Sequence, residues 1–147
     1  MGGTITVGAM TLEAGIVPIS ATERIGPGLT EAAFRASPRG VGAREFVRND
    51  PHRSYVLKPV SFEGRDWIAV VYFTDGRLMR ASLSRITDRT WLTVDPAYEQ
   101  RWTAALKAEM ETRLQRKLPA TFPWGEIDVE YDQRSISGYL IFSYFGR

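Results

Sequence analysis

The chain has no cysteine and only one histidine, His52, among 147 residues. The first absence excludes disulfides, thiolate zinc sites and a cysteine nucleophile. The second excludes a histidine metal cluster. A serine triad would have to recruit His52 from the stretch "NDPHRSY", and the sequence has no G-x-S-x-G elbow to present the serine. The glycine pairs "GPG" at 26–28 and "GVG" at 40–42 form neither a dinucleotide fingerprint nor a phosphate loop. No apolar run approaches the roughly 18 residues of a membrane span. The opening "MGGTITVGAMTLEAGIVPIS" lacks a basic region followed by a continuous apolar one, so no export signal is expected. These absences point to a soluble cytoplasmic protein with no membrane contact, no cofactor and no metal.

A strong charge of one sign is missing too. Lys and Arg number 19 against 17 Asp and Glu, a formal charge of +2, which argues against a nucleic-acid partner. Most of the basic residues are arginine. Guanidinium forks suit carboxylate or phosphate recognition, but genome base composition yields the same bias. The hydrophobic share of 44% is that of an ordinary globular chain, enough for one domain, residues 1–147, with a real core.

Turn signals crowd the first half: "GPG" at 26–28, "SPRGVG" at 37–42 and "NDP" at 49–51. Residues 4–20 read as one or two short strands. "LTEAAFRAS" offers Thr30 as a helix N-cap and stops before Pro38. Between 54 and 87 the pattern is an antiparallel meander. "SYVLKPVSF" comes first, with Pro59 suggesting an edge or a strand end. "DWIAVVYF" follows a turn at Glu63-Gly64. Asp75-Gly76 then makes a two-residue hairpin into "LMRASLSRI". The middle strand is apolar on both faces, with Trp67, Ala69, Val71 and Phe73 against Ile68, Val70 and Tyr72. Both faces should therefore be covered, or one should be an interface.

Asp95-Pro96 opens a helix expected over 96–118 and closed by Pro119. Its apolar stripe is Tyr98, Trp102, Leu106, Met110, Leu114 and Leu118. The opposite face mixes Glu99, Arg101, Lys107, Glu111 and Arg116, unlike a DNA-reading helix.

The chain closes on "FPWGEIDVEYDQRSISGYLIFSYFGR". Here Glu126, Asp128, Glu130 and Asp132 alternate with Ile127, Val129 and Tyr131, so one strand face is acidic and the other apolar. Carboxylates on a straight strand repeat at about 6.8 Å, which suits a calcium cage poorly. The row is a solvated face, a docking surface for a basic partner, or an acid/base pair. A second charged feature spans 35–53, where Arg35, Arg39, Arg44, Arg48 and Arg53 stand against Glu45 and Asp50 in a stretch read as loop. It could meet phosphate, RNA or an acidic protein, or pair with the chain's own acidic face.

The terminal stretch, with Trp124-Gly125-Glu126-Ile127 and then Tyr131-Asp132, resembles the C-terminal signature of a group of small bacterial α+β proteins. The upstream order "GPGLTEAAF", "YVLKP" and "FTDGRLMRASL" is similar to theirs. Some of these proteins are regarded as immunity proteins encoded beside secreted polymorphic toxins. The resemblance implies a protein partner, in some cases a toxin domain. The residues alone are also compatible with Trp124 and Gly125 serving only a helix-to-sheet junction.

The fold expected is α+β: an antiparallel sheet of about six strands, a short N-terminal helix and one long C-terminal helix. The function expected is stoichiometric protein binding of the immunity type rather than catalysis. Glu126, Asp128, Glu130, Asp132, Arg44 and Arg48 are the candidate contacts. The alternatives are a small ligand-binding domain or enzyme with a carboxylate/tyrosine pocket between helix and sheet, and a homo-oligomer using the second apolar sheet face.

Overall fold

A computed structural model describes residues 12–62, 64–86 and 94–145 of the chain. The strand expectation for residues 4–11, the turn residue Glu63 and Thr87 at the end of the meander lie outside them. Strands β1 (Val17–Pro18) and β2 (Arg24–Ile25) pair with each other, and short helices α1 (Glu31–Ala36) and α2 (Pro38–Val41) follow. Next come β3 (Arg44–Asn49), β4 (His52–Phe62), β5 (Arg65–Thr74) and β6 (Arg77–Arg85). Helix α3 (Pro96–Leu114) leads into β7 (Ala120–Phe122), β8 (Gly125–Asp132) and β9 (Ser137–Tyr144). The architecture is α+β, and its main sheet has seven antiparallel strands in the order β3-β4-β5-β6-β9-β8-β7.

The expected count of about six strands is corrected by β3 and β7 at the two edges. Every residue of β3 is exposed, so this strand has no hydrophobic alternation to announce it. The stretch read as an arginine loop is thus two helical turns and an edge strand.

Local signals act where expected. Thr30 caps α1 by accepting from the Ala33 N–H at 3.1 Å. Asp95 caps α3 by accepting from the Ala97 N–H at 3.0 Å, with Pro96 in the first turn. Asp75 and Gly76 both take positive φ, as a two-residue hairpin between right-twisted strands requires.

Pro59 meets the expectation of an edge. β3 pairs only with residues 52–56 of β4, so among the described residues β4 is unpaired on that side at Pro59, which sits at a bulge between Leu57 and Val60. The extra residue absorbs the missing N–H and keeps Tyr55, Leu57, Val60 and Phe62 all on the buried face.

Helix α3 stops at Gln115, which adopts the left-handed conformation and caps the C-terminus, four residues before Pro119. Its buried face also differs from the expected stripe. A strict four-residue repeat advances about 400° per step, a drift of about 40°, so Tyr98 and Leu114 cannot share a face. The buried positions are Glu99, Thr103, Leu106, Met110 and Leu114, whereas Tyr98 is exposed. Glu99, expected on the solvent side, is 4% exposed and forms an ion pair with Arg85 of β6. The Arg85 guanidinium also lies 5.1 Å from the Tyr98 ring centre and 5.4 Å from that of Trp102. Together these contacts pin the start of α3 to the sheet.

Helices α1 and α3 pack on the same side of the sheet. α3 packs on β8 and β9, and Phe34 of α1 packs against Tyr55 and Phe73 with ring centres 5.5 Å apart in both pairs. Trp124 fastens the chain's early residues to the terminal hairpin. Its Nε1 donates to the Glu13 carbonyl at 2.7 Å, and the Tyr144 hydroxyl donates to the Gly15 carbonyl at 2.7 Å. Burial pushes the Tyr144 pKa well up, so its proton stays in place as a donor.

Two glycines permit close backbone approach. A Cβ on Gly125 would stand 1.9 Å from the Ser143 carbonyl oxygen, and one on Gly138 would stand 2.0 Å from Thr103 Oγ1. Gly138→Ala should therefore lift α3 off β9 and cost about 1–3 kcal/mol, the range for overpacking a filled interior. In urea denaturation, Thr103→Ala should recover part of the loss. A double variant no more stable than Gly138→Ala alone would show that this contact does not set the helix position.

Candidate functional site

The sheet face opposite the helices is a shallow cleft of about 580 Å³. Strand pairing defines what stands on it. Arg44 faces Val56, Val56 faces Val70, Val70 faces Ser82, Ser82 faces Ile141 and Ile141 faces Asp128. This row crosses six strands, with a guanidinium at one end and a carboxylate at the other. A second row runs from Tyr72 through Arg80 and Ser143 to Glu126. Five interstrand steps of about 4.8 Å separate the two ends of the first row by about 24 Å. Ile68, Val70 and Tyr72, the second apolar face of β5, are half-buried here, while Ile141 and Ser82 are buried in the floor. Among the described residues no helix covers this face.

Charge is segregated across it. Glu126, Asp128, Glu130 and Asp132 share one side of β8, with Glu130 opposite Tyr139. Glu130 and Asp132 are exposed; Glu126 and Asp128 are half-buried. Asp132 has a local structural task as well. It accepts from the Arg134 N–H and the Ser135 hydroxyl, both at 3.0 Å, and these bonds hold its pKa below the usual carboxylate value. The Arg80 guanidinium stacks over Tyr72, 5.6 Å from the ring centre.

The structure separates the two candidate arginines. Arg44 stands on the open face. Arg48 pairs with Arg53, and Arg53 with the core residue Phe73, so Arg48 points to the helix side. The cause is a bulge between Glu45 and Val47, which reverses the alternation after Phe46. Arg48 is 3.9 Å from Glu45, and Arg53 pairs with Asp50 and Glu31. None of these arginines pairs with the β8 carboxylates, as the loop reading had allowed. His52 opens β4, with Nδ1 2.9 Å from Thr74 Oγ1. Between α3 and the sheet, Leu106, Met110 and Leu114 are buried where a carboxylate/tyrosine pocket was the alternative. Among the described residues no three acidic, histidine or cysteine side chains gather as a metal site.

Lys58, which sequence reasoning missed, joins Arg39 of the net-basic stretch at the basic end. Lys58 is exposed beside the β4 bulge, and Arg39 of α2 donates from Nη2 to the Pro59 carbonyl at 2.7 Å. Glu23 accepts from the Arg39 backbone N–H at 2.9 Å and from the Ser20 hydroxyl at 2.8 Å.

No family model matches the chain, and no curated protein does. A solved structure described as "Rhs1-CT in complex with cognate immunity protein RhsI1" aligns over 85% of this chain and 80% of the matched chain. The TM-score is 0.50 and the identity 17%. The likeness is one of fold. Among the described residues no helix is long and apolar enough to cross a membrane.

The Arg39 N–H bond, ahead of the Ser20 hydroxyl and the nearby Arg39 charge, lowers the Glu23 pKa against the opposing effect of burial. A carboxyl whose folded pKa is depressed stabilises the fold above its unfolded pKa and loses that contribution as pH falls through the folded value. Acidification from about pH 6 to about pH 3 should thus lower the urea midpoint less in Glu23→Gln than in the parent chain. Equal losses in the two would remove Glu23 from this role.

Proposed function

We propose that this chain is a stoichiometric protein-binding protein of the immunity type, docking through its open sheet face. The observation that carries the reading is the charge-segregated row from Arg44 to Asp128 on a face that no helix among the described residues covers. A broad, partly apolar face with aromatic residues at Tyr72 and Tyr139 suits occlusion of another protein. The acidic side would steer and orient a basic surface of the partner, such as the cleft of an enzyme acting on a polyanion. The fold shared with a chain from a complex of Rhs1-CT and its cognate immunity protein supports this reading. So does the resemblance of the Trp124-Gly125 to Asp132 stretch to immunity proteins of polymorphic toxin systems. On this reading the chain is an inhibitor and carries no catalysis of its own.

The test begins with capture from the native host's lysate. One near-stoichiometric protein is expected, whose toxicity co-expression relieves. Glu126→Gln, Asp128→Asn and Glu130→Gln combined, leaving Asp132 to hold its turn, should weaken that complex at least about tenfold at low salt. The variant's affinity should also vary less with salt. Unchanged affinity and salt dependence in the folded variant would reduce the acidic row to solvation.

A further inference from the structure

At the basic end of the open face, a second cavity of about 490 Å³ opens between α2, β3 and β4. Its charged lining is Arg39, Arg44 and Lys58, and its apolar lining includes Pro38, Val56 and Leu57. Among the described residues no carboxylate lines it. Glu23 approaches Arg39 through the backbone N–H and Glu45 pairs with Arg48 on the other side of β3, so neither lines the cavity. Three cations converge there; the Glu23 carboxylate feels the Arg39 charge from outside the lining, and the repulsion among the three is relieved by an anion in the pocket.

Two local devices build the convergence. The β4 bulge turns Lys58 outward, and the Pro59 carbonyl beside it holds the Arg39 Nη2 at 2.7 Å. That bond fixes the guanidinium yet leaves Arg39 Nε buried with no acceptor. A buried donor without a partner is costly, and an entering oxyanion supplies what is missing.

We infer that this corner is a carboxylate-binding subsite for an acidic side chain of the protein partner, a role that rests on the protein-binding reading above. Arg44 lines both this cavity and the open face, so one partner can reach both. Exposed Val41, Phe46 and Val47 flank the corner and fit a polypeptide better than a solvated anion. A nucleic acid laid along the same face would run its phosphates into Glu130 and Asp132. The partner therefore presents an acidic group over α2 and β3 and a basic surface over β8.

The experiment is titration of the 15N-labelled full chain with a capped tetraglutamate peptide, and separately with inorganic phosphate at matched ionic strength. The expected result is saturable amide shifts within 38–44 and 56–58 for the peptide. Binding should weaken at least about tenfold in Arg44→Gln/Lys58→Gln and by less in Lys58→Gln alone. Both side chains are exposed, and unaltered shifts over β5, β6 and β9 confirm that the variants fold. Absence of saturable shifts, shifts indifferent to the variants, or phosphate binding tighter than the peptide would each overturn the assignment. Because the titration uses no partner, its failure leaves the acidic-face reading standing, and failure of the capture experiment leaves the subsite standing.

Discussion

Four residue pairs between β6 and β9, from Arg80 opposite Ser143 to Leu83 opposite Leu140, hold the molecule together. On one side of that seam lies the meander β3 to β6 with α1; on the other lies the unit of α3 and β7 to β9. Each half alone would have an apolar sheet face only partly covered. Joined, they share one core in which Ala81, Leu83, Leu140 and Phe142 sit at the seam, each 1% exposed or less. The pairing closes a long loop, so its entropic cost must be offset by this burial rather than by the four pairs alone. It also makes the open face continuous. Without it the arginine end and the carboxylate end would belong to separate sheets.

Much of this fold was legible because its residues obey simple periods. The two-residue alternation in β5, β6, β8 and β9 and the turn at Asp75-Gly76 fix strands and pairing locally. What escaped did so for physical reasons. β3 buries nothing, and β7 is three residues long, so neither has a hydrophobic pattern. Pro59 was legible as an edge signal, but the bulge around it was not. The helix stripe holds from Trp102 to Leu118 and fails at Tyr98, because every fourth residue drifts around a 3.6-residue turn. Glu99 then lands in the core, where Arg85, from a distant strand, makes its charge tolerable.

The candidate site divides along the same line. The acidic row could be read from one strand, since alternation alone places Glu126, Asp128, Glu130 and Asp132 together. Even spacing made Arg44 and Arg48 look equivalent, and a single extra residue at Phe46 puts them on opposite faces. Of the Arg39, Arg44 and Lys58 corner the sequence showed only the net-basic stretch that carries the two arginines, not their meeting with Lys58. Its members come from a helix, an edge strand and a bulge, and only the folded register brings them to one cavity.

The exposed β3 edge has a bearing on self-association. An unpaired strand edge is a template for a second copy of itself, and Phe46 and Val47 add apolar surface to that risk. Arg44 on the open face and Arg48 on the helix side put a charge on each face of this edge, on either side of Phe46. The bulge at the same residue breaks the flat ladder that such stacking needs. The strand is thereby guarded against its own kind while its basic corner stays open to an acidic stranger.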